Sequence, residues 1–402
     1  MRELTAFSTP ISALLPLLEE EDSAALLVHL PRLRARLSHL RAAFNQAVMH
    51  CVAIKTNPHP ALLRELVSCG FGLEAASIEE VRLALAAGCP SSRLIFDSPV
   101  KTRREIAEVS ALEGMLVNAN SLAELERFPS ALRCQLGLRI NPQTETGAPA
   151  LFSVSQNESK FGVPLSERAA IIEAALHAPI SALHMHSGSQ MRDLAAQRAA
   201  LEALASLAHE INAALRSAGI QRQIRTMDIG GGLPTEPLRA ESRMREYGAL
   251  VSGIDGLQGF QLVTEFGQWV HAECGAALSR VEYLLPGAPP KLFIHLGADF
   301  FMRDAYTSPR PFPLSLWSAD GSQREGSERS YDIAGPLCFA GDYLARQVLL
   351  PEAQEGDWLS VDHTGANCYG LWSRHCSRSV PAIWAWDGQS LQRWSQRRQI
   401  DF

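Results

Sequence analysis

The feature that most restricts the fold of this chain is an alternation of strand-like and helical segments between residues 25 and 265. Eight short apolar runs are separated by segments with helical periodicity, such as residues 61–68 and 78–87. The predicted strands end near Lys55, Glu74, Asp97, Asn118, Asn141, His186, Gly230 and Glu265. Eight such units predict a (β/α)8 barrel, and a doubly wound open sheet is the alternative on pattern alone.

Ionisable residues cluster where these strands end, and they favour the barrel. The ends carry Lys55, Glu74, Arg139, His184, His186, Asp228 and Glu265. Because the carboxyl ends of barrel strands meet at one rim, where barrel enzymes keep their chemistry, the pattern predicts an active site at that rim.

The pattern changes after residue 265, where helical periodicity fades. Short β-like runs occur at residues 278–284, 291–296, 358–361 and 382–386, between segments rich in Gly, Pro, Ser and Asp. We therefore predict a barrel over residues 25–265. A β-sandwich or barrel-like domain would combine residues 1–24 with residues 266–402.

Composition restricts the class of protein further. The chain has 402 residues, of which 46% are hydrophobic and 20% charged, and its net charge of -6 gives no nucleic-acid footprint. It contains neither an apolar run long enough for a bilayer nor a secretory leader pattern. Its eight cysteines are scattered without a CxxC pair, which argues against a zinc site and a disulfide framework. A reduced cytoplasm is the simplest setting.

Lys55 is the first candidate for chemistry. It ends the apolar run 47–54 and lies at the expected mouth of a strand. Desolvation there can remove the charge of a lysine and make it a nucleophilic amine. The alternative is an ordinary solvated residue at a strand end.

The segments after two later strands suggest an anion site. Gly230, Gly231 and Gly232 follow Asp228, and bare glycines let backbone N–H groups approach a phosphate; a plain flexible turn is the alternative. His184 and His186 share one strand face, which makes a metal pair conceivable, although no third ligand has a convincing spacing. His186 could instead stack on a flat cofactor with Ser189 on its phosphate, or be a satisfied core histidine.

Two further residues complete the candidate set. Glu265 could hold the ring nitrogen of a pyridine cofactor protonated, or form a rim salt bridge. Cys338, in the turn 335–342, is either inert and buried or a proton donor.

Together and in this order, these motifs resemble the fold-type III pyridoxal-phosphate decarboxylases, the family of diaminopimelate, ornithine and arginine decarboxylases. The resemblance covers nearly the whole chain and implies a barrel of the alanine-racemase type with pyridoxal 5′-phosphate as cofactor. It implies cofactor contacts from Lys55, His186, Ser189, Gly230, Gly231, Gly232, Glu265 and Gly267. Lys55 would bind the cofactor covalently, His186 would stack on its ring and Glu265 would pair with its nitrogen.

The same resemblance implies the reaction and the assembly. A substrate amine would displace Lys55, the α-carboxylate would leave as CO2, and Cys338 or Lys55 would return a proton to Cα. Cys338 would enter the active site of a neighbouring subunit, which implies a homodimer with two shared sites.

Three departures from the family pattern bear on the cofactor and the substrate. Gln268 stands where the family has arginine, and Asn367 stands where it has a phosphate-binding tyrosine. Tyr369 could compensate if the segment is a strand, because alternate residues share a face. Phe339 follows the cysteine where members that act on diamino acids carry an acid. Burying an ammonium group without a partner costs on the order of several kcal/mol.

The sequence therefore predicts that the substrate is not a simple diamino acid. Arg303 could bind a carboxylate in a bidentate manner. In its length and in lacking the acid after the cysteine, the chain is similar to the siderophore-pathway branch of the family, which acts on citrate-conjugated amino acids. Asp342, four residues after the cysteine, is a further predicted substrate-binding residue.

Other functions remain as alternatives. The first is an ordinary decarboxylase of a free diamino acid, with Asp342 or Asp304 supplying the distal acid. An amino-acid racemase needs a second-face base, usually tyrosine, and the cysteine motif disfavours it. Non-catalytic carriers of this barrel type usually lack a β domain, and inactive relatives are disfavoured because Lys55 and Cys338 are both present.

Overall fold

The computed structural model describes residues 7–149, 152–236, 239–306 and 311–399. The chain divides into two compact units. Residues 36–270 form one, here called the barrel unit, and residues 1–35 with 271–402 form the other, here called the β unit.

The strands are numbered in chain order. They are β1 (Ala24–His29), β2 (Val48–Ala53), β3 (Gly72–Ala75), β4 (Leu94–Asp97), β5 (Leu116–Ala119), β6 (Gln135–Asn141), β7 (Val163–Pro164), β8 (Ile180–His184), β9 (Thr226–Asp228), β10 (Gln261–Thr264), β11 (Gly275–Leu285), β12 (Lys291–Ile294), β13 (Leu314–Trp317), β14 (Glu328–Ala334), β15 (Tyr343–Pro351), β16 (Trp358–Asp362), β17 (Ala382–Trp386) and β18 (Leu391–Ser395).

The α-helices are numbered in the same way. They are α1 (Ser8–Leu14), α2 (Leu30–Ala42), α3 (Pro60–Ser68), α4 (Ile78–Ala86), α5 (Arg103–Ser110), α6 (Leu122–Leu125), α7 (Arg168–His177), α8 (Leu194–Ser217), α9 (Ala240–Ser252), α10 (Gln268–His271) and α11 (Met302–Tyr306). Among the residues described, none of these helices has both the length and the apolar character that crossing a membrane requires.

The barrel unit is a closed parallel barrel. Its eight strands run in the order β5-β4-β3-β2-β10-β9-β8-β6, and the further pairing of β5 with β6 closes the ring. All of these neighbours are parallel, as strand–helix alternation requires. The predicted (β/α)8 barrel is therefore confirmed, and the closure excludes the open sheet.

Short hydroxyl side chains, rather than the polar residues that end the strands, begin the helices on the barrel's exterior. Ser77 and Ser121 accept hydrogen bonds from helix N–H groups, and Thr102 forms a reciprocal capping box with Glu105. Each such cap stabilises its helix by about 1 kcal/mol. Asp97 and Asn118, which end β4 and lie in β5, cap none of these three helices, so their side chains remain available inside the barrel.

The barrel interior contains an apolar layer and a polar layer. The apolar layer is a buried cluster from five strands: Cys51, Ile95, Leu116, Ala182 and Val263. The polar layer consists of side chains at strand ends that are fully buried: Glu74, Asn118, His184 and Asp228. Because buried polar groups need partners, the second layer is where an unusual electrostatic arrangement is expected.

The β unit is built around β1, which is almost wholly buried. It pairs antiparallel with β11 and parallel with β17, inside a nine-stranded sheet. Its side chains pack with α1 and with Trp317, Trp358 and Trp384. The β unit therefore includes β1, although the sequence analysis placed residues 25–29 in the barrel. The residues of a strand do not by themselves reveal which sheet the strand joins.

Candidate active site

Lys55 lies at the carboxyl end of β2 and contacts a buried acid. β2 ends at Ala53, and a single 3-10 turn, Ile54–Thr56, carries the lysine beyond the strand. Its Nζ lies 2.7 Å from Oε2 of Glu74 at the end of β3. The Lys55 side chain is 53% exposed and that of Glu74 is 0% exposed. A reachable amine is thus held against a carboxylate that water does not reach.

This contact corrects the electrostatic argument made for Lys55. Desolvation lowers the pKa of the amine, but the nearby Glu74 and Glu265 carboxylates outweigh it and hold the pKa above its usual value. Burial raises the pKa of Glu74 to about 7 against the opposing effect of Lys55. Lys55 is therefore charged at neutral pH, and Glu74 is placed to accept its proton when the amine reacts.

A row of alternating charges crosses the barrel beside this pair. Nη1 of Arg139 on β6 lies 2.6 Å from Oδ2 of Asp97 on β4. Oδ1 of Asp97 lies 3.4 Å from Nδ1 of His184 on β8, and Nε2 of His184 lies 3.6 Å from Oε2 of Glu265. All four side chains are at most 6% exposed. The row joins four strands and ends at the carboxylate that follows β10.

The burial of these groups shifts their pKa values strongly. Desolvation favours neutral His184, but Asp97, Asp228 and Glu265 outweigh it and raise the pKa of His184 to about 10. Desolvation favours neutral Glu265, but His184 outweighs it and lowers the pKa of Glu265 to about 2. Burial, followed by the charge of Glu265, raises the pKa of Asp228 well above its usual value. Glu265 is thus ionised at neutral pH, while burial disfavours the charged form of Asp228.

The sequence offers no third metal ligand at a convincing spacing beside His184 and His186, and the structure gathers a different group around His184. One ligand-type atom from each of His184, Asp228 and Glu265 lies within 4.8 Å of the others. The three come from separate strands, so no sequence spacing reveals them. His186 is not part of this group, because β8 ends at His184 and strand alternation no longer applies to residue 186.

His186 is a neutral imidazole with a fixed orientation. Its Nδ1 accepts a hydrogen bond of 3.2 Å from the Gly231 N–H. Burial lowers the pKa of His186 to about 3, against the opposing charge of Glu265. An Nδ1 that accepts places the ring proton on Nε2. The glycine predicted to bind phosphate therefore also positions the histidine predicted to stack on the cofactor ring.

The glycine segment after β9 packs backbone against backbone. A Cβ on Gly231 would lie 2.7 Å from the carbonyl oxygen of Glu265, and a Cβ on Gly232 would lie 1.9 Å from that of Gly188. Gly232 also has φ +105°, which side chains rarely adopt. The segment thus joins the loop that follows β8 to the end of β10.

Replacing Gly232 with alanine is therefore expected to lower the free energy of unfolding by on the order of 3 kcal/mol and to weaken cofactor binding at least about tenfold. The matched control is Gly88→Ala, whose φ is +85° but which has no atom within 4 Å of the added Cβ. Denaturant melts and cofactor titrations of both variants test this. Equal losses in the two would show that backbone strain alone, and not contact with Gly188, is responsible.

Gly267 and Ser189 lie beside these elements. A Cβ on Gly267 would lie 2.7 Å from side-chain atoms of both Ala53 and Thr56, so this glycine lets the turn after Glu265 approach the turn that carries Lys55. The backbone N–H of Ser189 donates to the carbonyl of Phe152 at 3.1 Å. The two predicted cofactor residues thus belong to the loops that surround Lys55 and His186.

In the β unit, Cys338 is exposed on the turn that follows β14. The next residue, Phe339, stacks on Tyr306 of α11 with ring centroids 5.1 Å apart and an interplanar angle of 21°. Tyr306 is 52% exposed. Such a pair contributes about 0.5–1.5 kcal/mol beyond area burial. Arg303 lies in α11, and its side chain is outside the described part of the structure.

Asp342 does not occupy the open position that its predicted role in substrate binding requires. It is buried, and its carboxylate oxygens accept the N–H groups of Ala298 at 2.6 Å and Leu337 at 2.7 Å. A Cβ on Gly335 or Gly297 would lie within 2.5 Å of this carboxylate. Asp342 therefore holds the backbone of the cysteine turn in place and is not presented as a free acid.

The argument made for Tyr369 does not apply. Residues 363–371 form turns, and Asn367 has φ +59°, so residues 367 and 369 do not share a strand face. Tyr369 begins a 3-10 turn, and its hydroxyl accepts a hydrogen bond from Arg398 at 3.2 Å. Asparagine tolerates the left-handed conformation better than most residues do. The role of Tyr369 at the cofactor thus loses its structural premise.

The sequence analysis missed a buried lysine, Lys101. The Lys101 side chain is fully buried, and its Nζ donates to the carbonyl of Asn118 at 2.7 Å and to both oxygens of Glu124 at 3.3 Å. Desolvation, partly offset by Glu124, lowers its pKa. Like Lys55, Lys101 follows a predicted strand end, at Asp97, so its position in the sequence could have marked it as a residue of the barrel rim. Its contacts tie the loop after β4 to the loop after β5.

The residues present fit the cofactor that the sequence implies. Oε1 of Glu265 is a buried carboxylate oxygen without a hydrogen-bond partner among the described residues. It offers an acceptor to a protonated ring nitrogen. Lys55 supplies an amine in the same barrel, and the glycines of residues 230–232 bring backbone close enough to exclude a Cβ. Charge, nucleophile and cradle are thus all supplied by the barrel unit.

Comparisons with known proteins agree with this geometry. Residues 30–272 match the family described as "Pyridoxal-dependent decarboxylase, pyridoxal binding domain", and residues 205–365 match its C-terminal sheet domain. Diaminopimelate decarboxylase of Pseudomonas aeruginosa is 30% identical over 367 residues, which are 87% of this chain and 84% of that one. The enzyme of that name from Vibrio cholerae is 28% identical over 393 residues, covering 91% and 89%.

Solved structures share the fold. Diaminopimelate decarboxylase of Helicobacter pylori complexed with L-lysine has a TM-score of 0.84 at 22% identity and covers 94% of this chain and 95% of its own. Lysine/ornithine decarboxylase of Vibrio vulnificus complexed with cadaverine has a TM-score of 0.79 at 20% identity, with 96% and 100% covered. At these identities the likeness is evidence for the fold alone, that is, for a barrel and a sheet domain in one chain.

Proposed function

This chain belongs to the pyridoxal-dependent decarboxylase family, and from that premise we propose that it removes the α-carboxylate from the amino-acid part of a citrate-conjugated siderophore intermediate. The observation that supports a citrate-conjugated substrate is the aromatic stack of Phe339 on Tyr306 beside the exposed Cys338. An apolar ring stands where a free distal ammonium would need an acid.

The chain's own residues supply the supporting steps. Lys55 would hold the cofactor through its amine, and Glu74, 2.7 Å away, would accept the proton that Lys55 must lose to become a nucleophile. Pyridoxal phosphate, when bound, supplies the cationic conjugated ring that accepts the electron pair left by CO2. Ionised Glu265 stabilises a protonated ring nitrogen. Neutral His186 offers a flat face without a repelling charge.

We propose that Cys338 returns the proton to Cα and that it does so in the site of a second subunit. The exposed thiol on a turn fixed by Asp342 supports this assignment. The protein would then act as a homodimer in the cytoplasm, with two shared sites.

A second candidate is decarboxylation of a free diamino acid. The names of the relatives favour it, because several are diaminopimelate decarboxylases. The position of Asp342 weighs against it, since the side chain is buried and both of its oxygens already accept backbone N–H groups.

Release of CO2 by the cofactor-loaded protein across two sets of substrates separates the candidates. One set holds free ornithine, lysine, arginine and diaminopimelate, and the other holds citryl conjugates of serine, diaminopropionate, diaminobutyrate and ornithine. We expect kcat/KM on a conjugate to exceed that on the free diamino acids by at least about 100-fold, or roughly 2.7 kcal/mol.

The variant Phe339→Glu is expected to gain about tenfold on free diamino acids, because it supplies the missing partner charge. Phe339→Gln is the matched control, with the same shape and no charge, and should gain nothing. Good turnover of a free diamino acid by the wild type, unchanged by the glutamate, would move the protein to the second candidate.

A further inference from the structure

His184 is a buried ionisable side chain to which the proposed reaction gives no task. It ends β8 and is 0% exposed. Its ring nitrogens point to different acids, with Nδ1 3.4 Å from Asp97 and Nε2 3.6 Å from Glu265. Neither nitrogen has a closer hydrogen-bond partner among the described residues.

The protonation state of this ring follows from its neighbours. A neutral imidazole has one N–H, so one of its nitrogens would direct a lone pair at a carboxylate. The doubly protonated ring has an N–H for both sides. Asp228 on β9 adds a third acid within 4.8 Å of the ring and of Glu265. When the His184 ring carries two protons, each flanking carboxylate faces an N–H group and no lone pair of the ring points at a carboxylate. The positive ring is therefore the form that these acids stabilise.

The acid on the far side of His184 is itself anchored. Asp97 is held by Arg139 at 2.6 Å, and this ion pair is 6% exposed on each side. The row of side chains Arg139, Asp97, His184 and Glu265 thus alternates in charge from one barrel strand to another. Since strand positions in a closed barrel are fixed by the ladder, the row can orient its last member, Glu265.

We propose that His184 is a positioning residue that stays doubly protonated and, by linking Glu265 to the Arg139–Asp97 pair, keeps the Glu265 carboxylate ionised and oriented. This rests on the proposed pairing of Glu265 with the cofactor's ring nitrogen. His184 acts through Glu265, and the reaction itself uses no proton from it.

The charged groups around the row set its pH range. Those that act on His184 are Asp97, Asp228 and Glu265; Arg139 and Lys101 act on Asp97, and Lys55 acts on Glu265. Burial opposes the charge, but the three acids raise the pKa of His184 to about 10. A raised pKa gives stability that is fully present below the ordinary value of 6.5 and is lost as the pH rises toward 10. The row is therefore intact throughout the neutral range.

The first test reads the ring directly. Full-length protein with 15N-labelled histidine is measured by NMR between pH 6 and pH 9, with and without pyridoxal phosphate, and the His184 signals are identified by their loss in His184→Gln. Both ring nitrogens are expected to carry protons at every pH. A neutral, singly protonated ring at pH 7 would overturn the proposal. If His184→Gln does not fold, a neutron structure of the wild type locates the same protons.

The second test reads the effect on Glu265. In cofactor-loaded His184→Gln, we expect kcat to fall at least about tenfold with KM within about threefold, and the pH at which the cofactor's absorption titrates to move by at least about one unit. The matched control is His50→Gln, a buried histidine of β2 that contacts Thr264 at 2.7 Å and whose pKa burial lowers to about 4. Titration of His184→Gln at the wild-type pH would overturn the proposal.

Two further outcomes separate this proposal from its rivals. Failure to bind pyridoxal phosphate would end the proposed function, yet the NMR result on the cofactor-free chain would still decide the state of His184. A stoichiometric metal ion found in the purified protein by elemental analysis, and lost in His184→Gln, would overturn the imidazolium and make the cluster a metal site.

Discussion

Lys55→Arg is expected to give a folded protein that cannot hold pyridoxal phosphate covalently and whose kcat is at least about 10³-fold below that of the wild type. The guanidinium keeps a positive charge beside Glu74, which the native lysine contacts at 2.7 Å. It does not lose a proton at accessible pH, so it cannot condense with an aldehyde. Borohydride reduction of the loaded protein, followed by peptide mass mapping and by kcat measurement, tests both statements.

The chain makes this assignment unusually clean, because it has only four lysines, at positions 55, 101, 160 and 291. Lys160→Arg is the matched control, an exposed lysine of the barrel unit that lies over the Phe161 ring, and it should retain both the modification and the activity. Labelling at residue 101, 160 or 291 instead of residue 55 would contradict the assignment. So would activity above about a tenth of the wild-type value in Lys55→Arg.

Glu265→Gln is expected to lower kcat by about 10²–10³-fold, or about 3–4 kcal/mol, with a much smaller change in KM. The amide cannot balance a cationic ring nitrogen. It also removes one of the two carboxylates that flank His184, at 3.6 Å from Nε2. The loss therefore acts on the cofactor and on the row of charges at once. Steady-state kinetics and the pH titration of the cofactor's absorption are the measurements.

Glu265→Asp is the conservative partner of this variant. It keeps the charge and shortens the side chain, so it should recover part of the lost kcat while the absorption continues to titrate near the wild-type pH. A Glu265→Gln enzyme within twofold of the wild type would remove Glu265 from the mechanism. Equal losses in both variants would show that distance, and not charge, decides the effect.

The barrel was predictable because its signal is local and repeated. Each strand is a short apolar run that ends in a polar residue, and each helix has its own periodicity, so eight repeats determine the architecture without knowledge of any contact. The ladder of parallel strands then places Lys55 and Glu74 side by side, since β2 and β3 are neighbours. The same local reasoning could not foresee that Glu74 keeps the lysine charged.

Contacts across the barrel were not predictable from spacing. His184 meets Asp97 and Glu265, which are 87 and 81 residues away along the chain, and only the closed ring brings them together. The same limit explains why the sequence does not reveal the cluster of His184, Asp228 and Glu265. In the β unit, Asp342 was interpreted as a presented acid, but its partners Ala298 and Leu337 are backbone groups that no side-chain pattern reveals.

The order of the segments in the β unit has a consequence for synthesis on the ribosome. β1 is the inner strand between β11 and β17, yet the whole barrel unit is translated between β1 and either partner. At about 5–20 residues per second, β17 emerges on the order of 20–70 s after β1. Until β11 emerges, which is earlier than β17, an Ala-Ala-Leu-Leu-Val segment has no strand to pair with while the barrel unit is synthesised. Its protection by chaperones during translation would then help to determine how much of the chain reaches the native state.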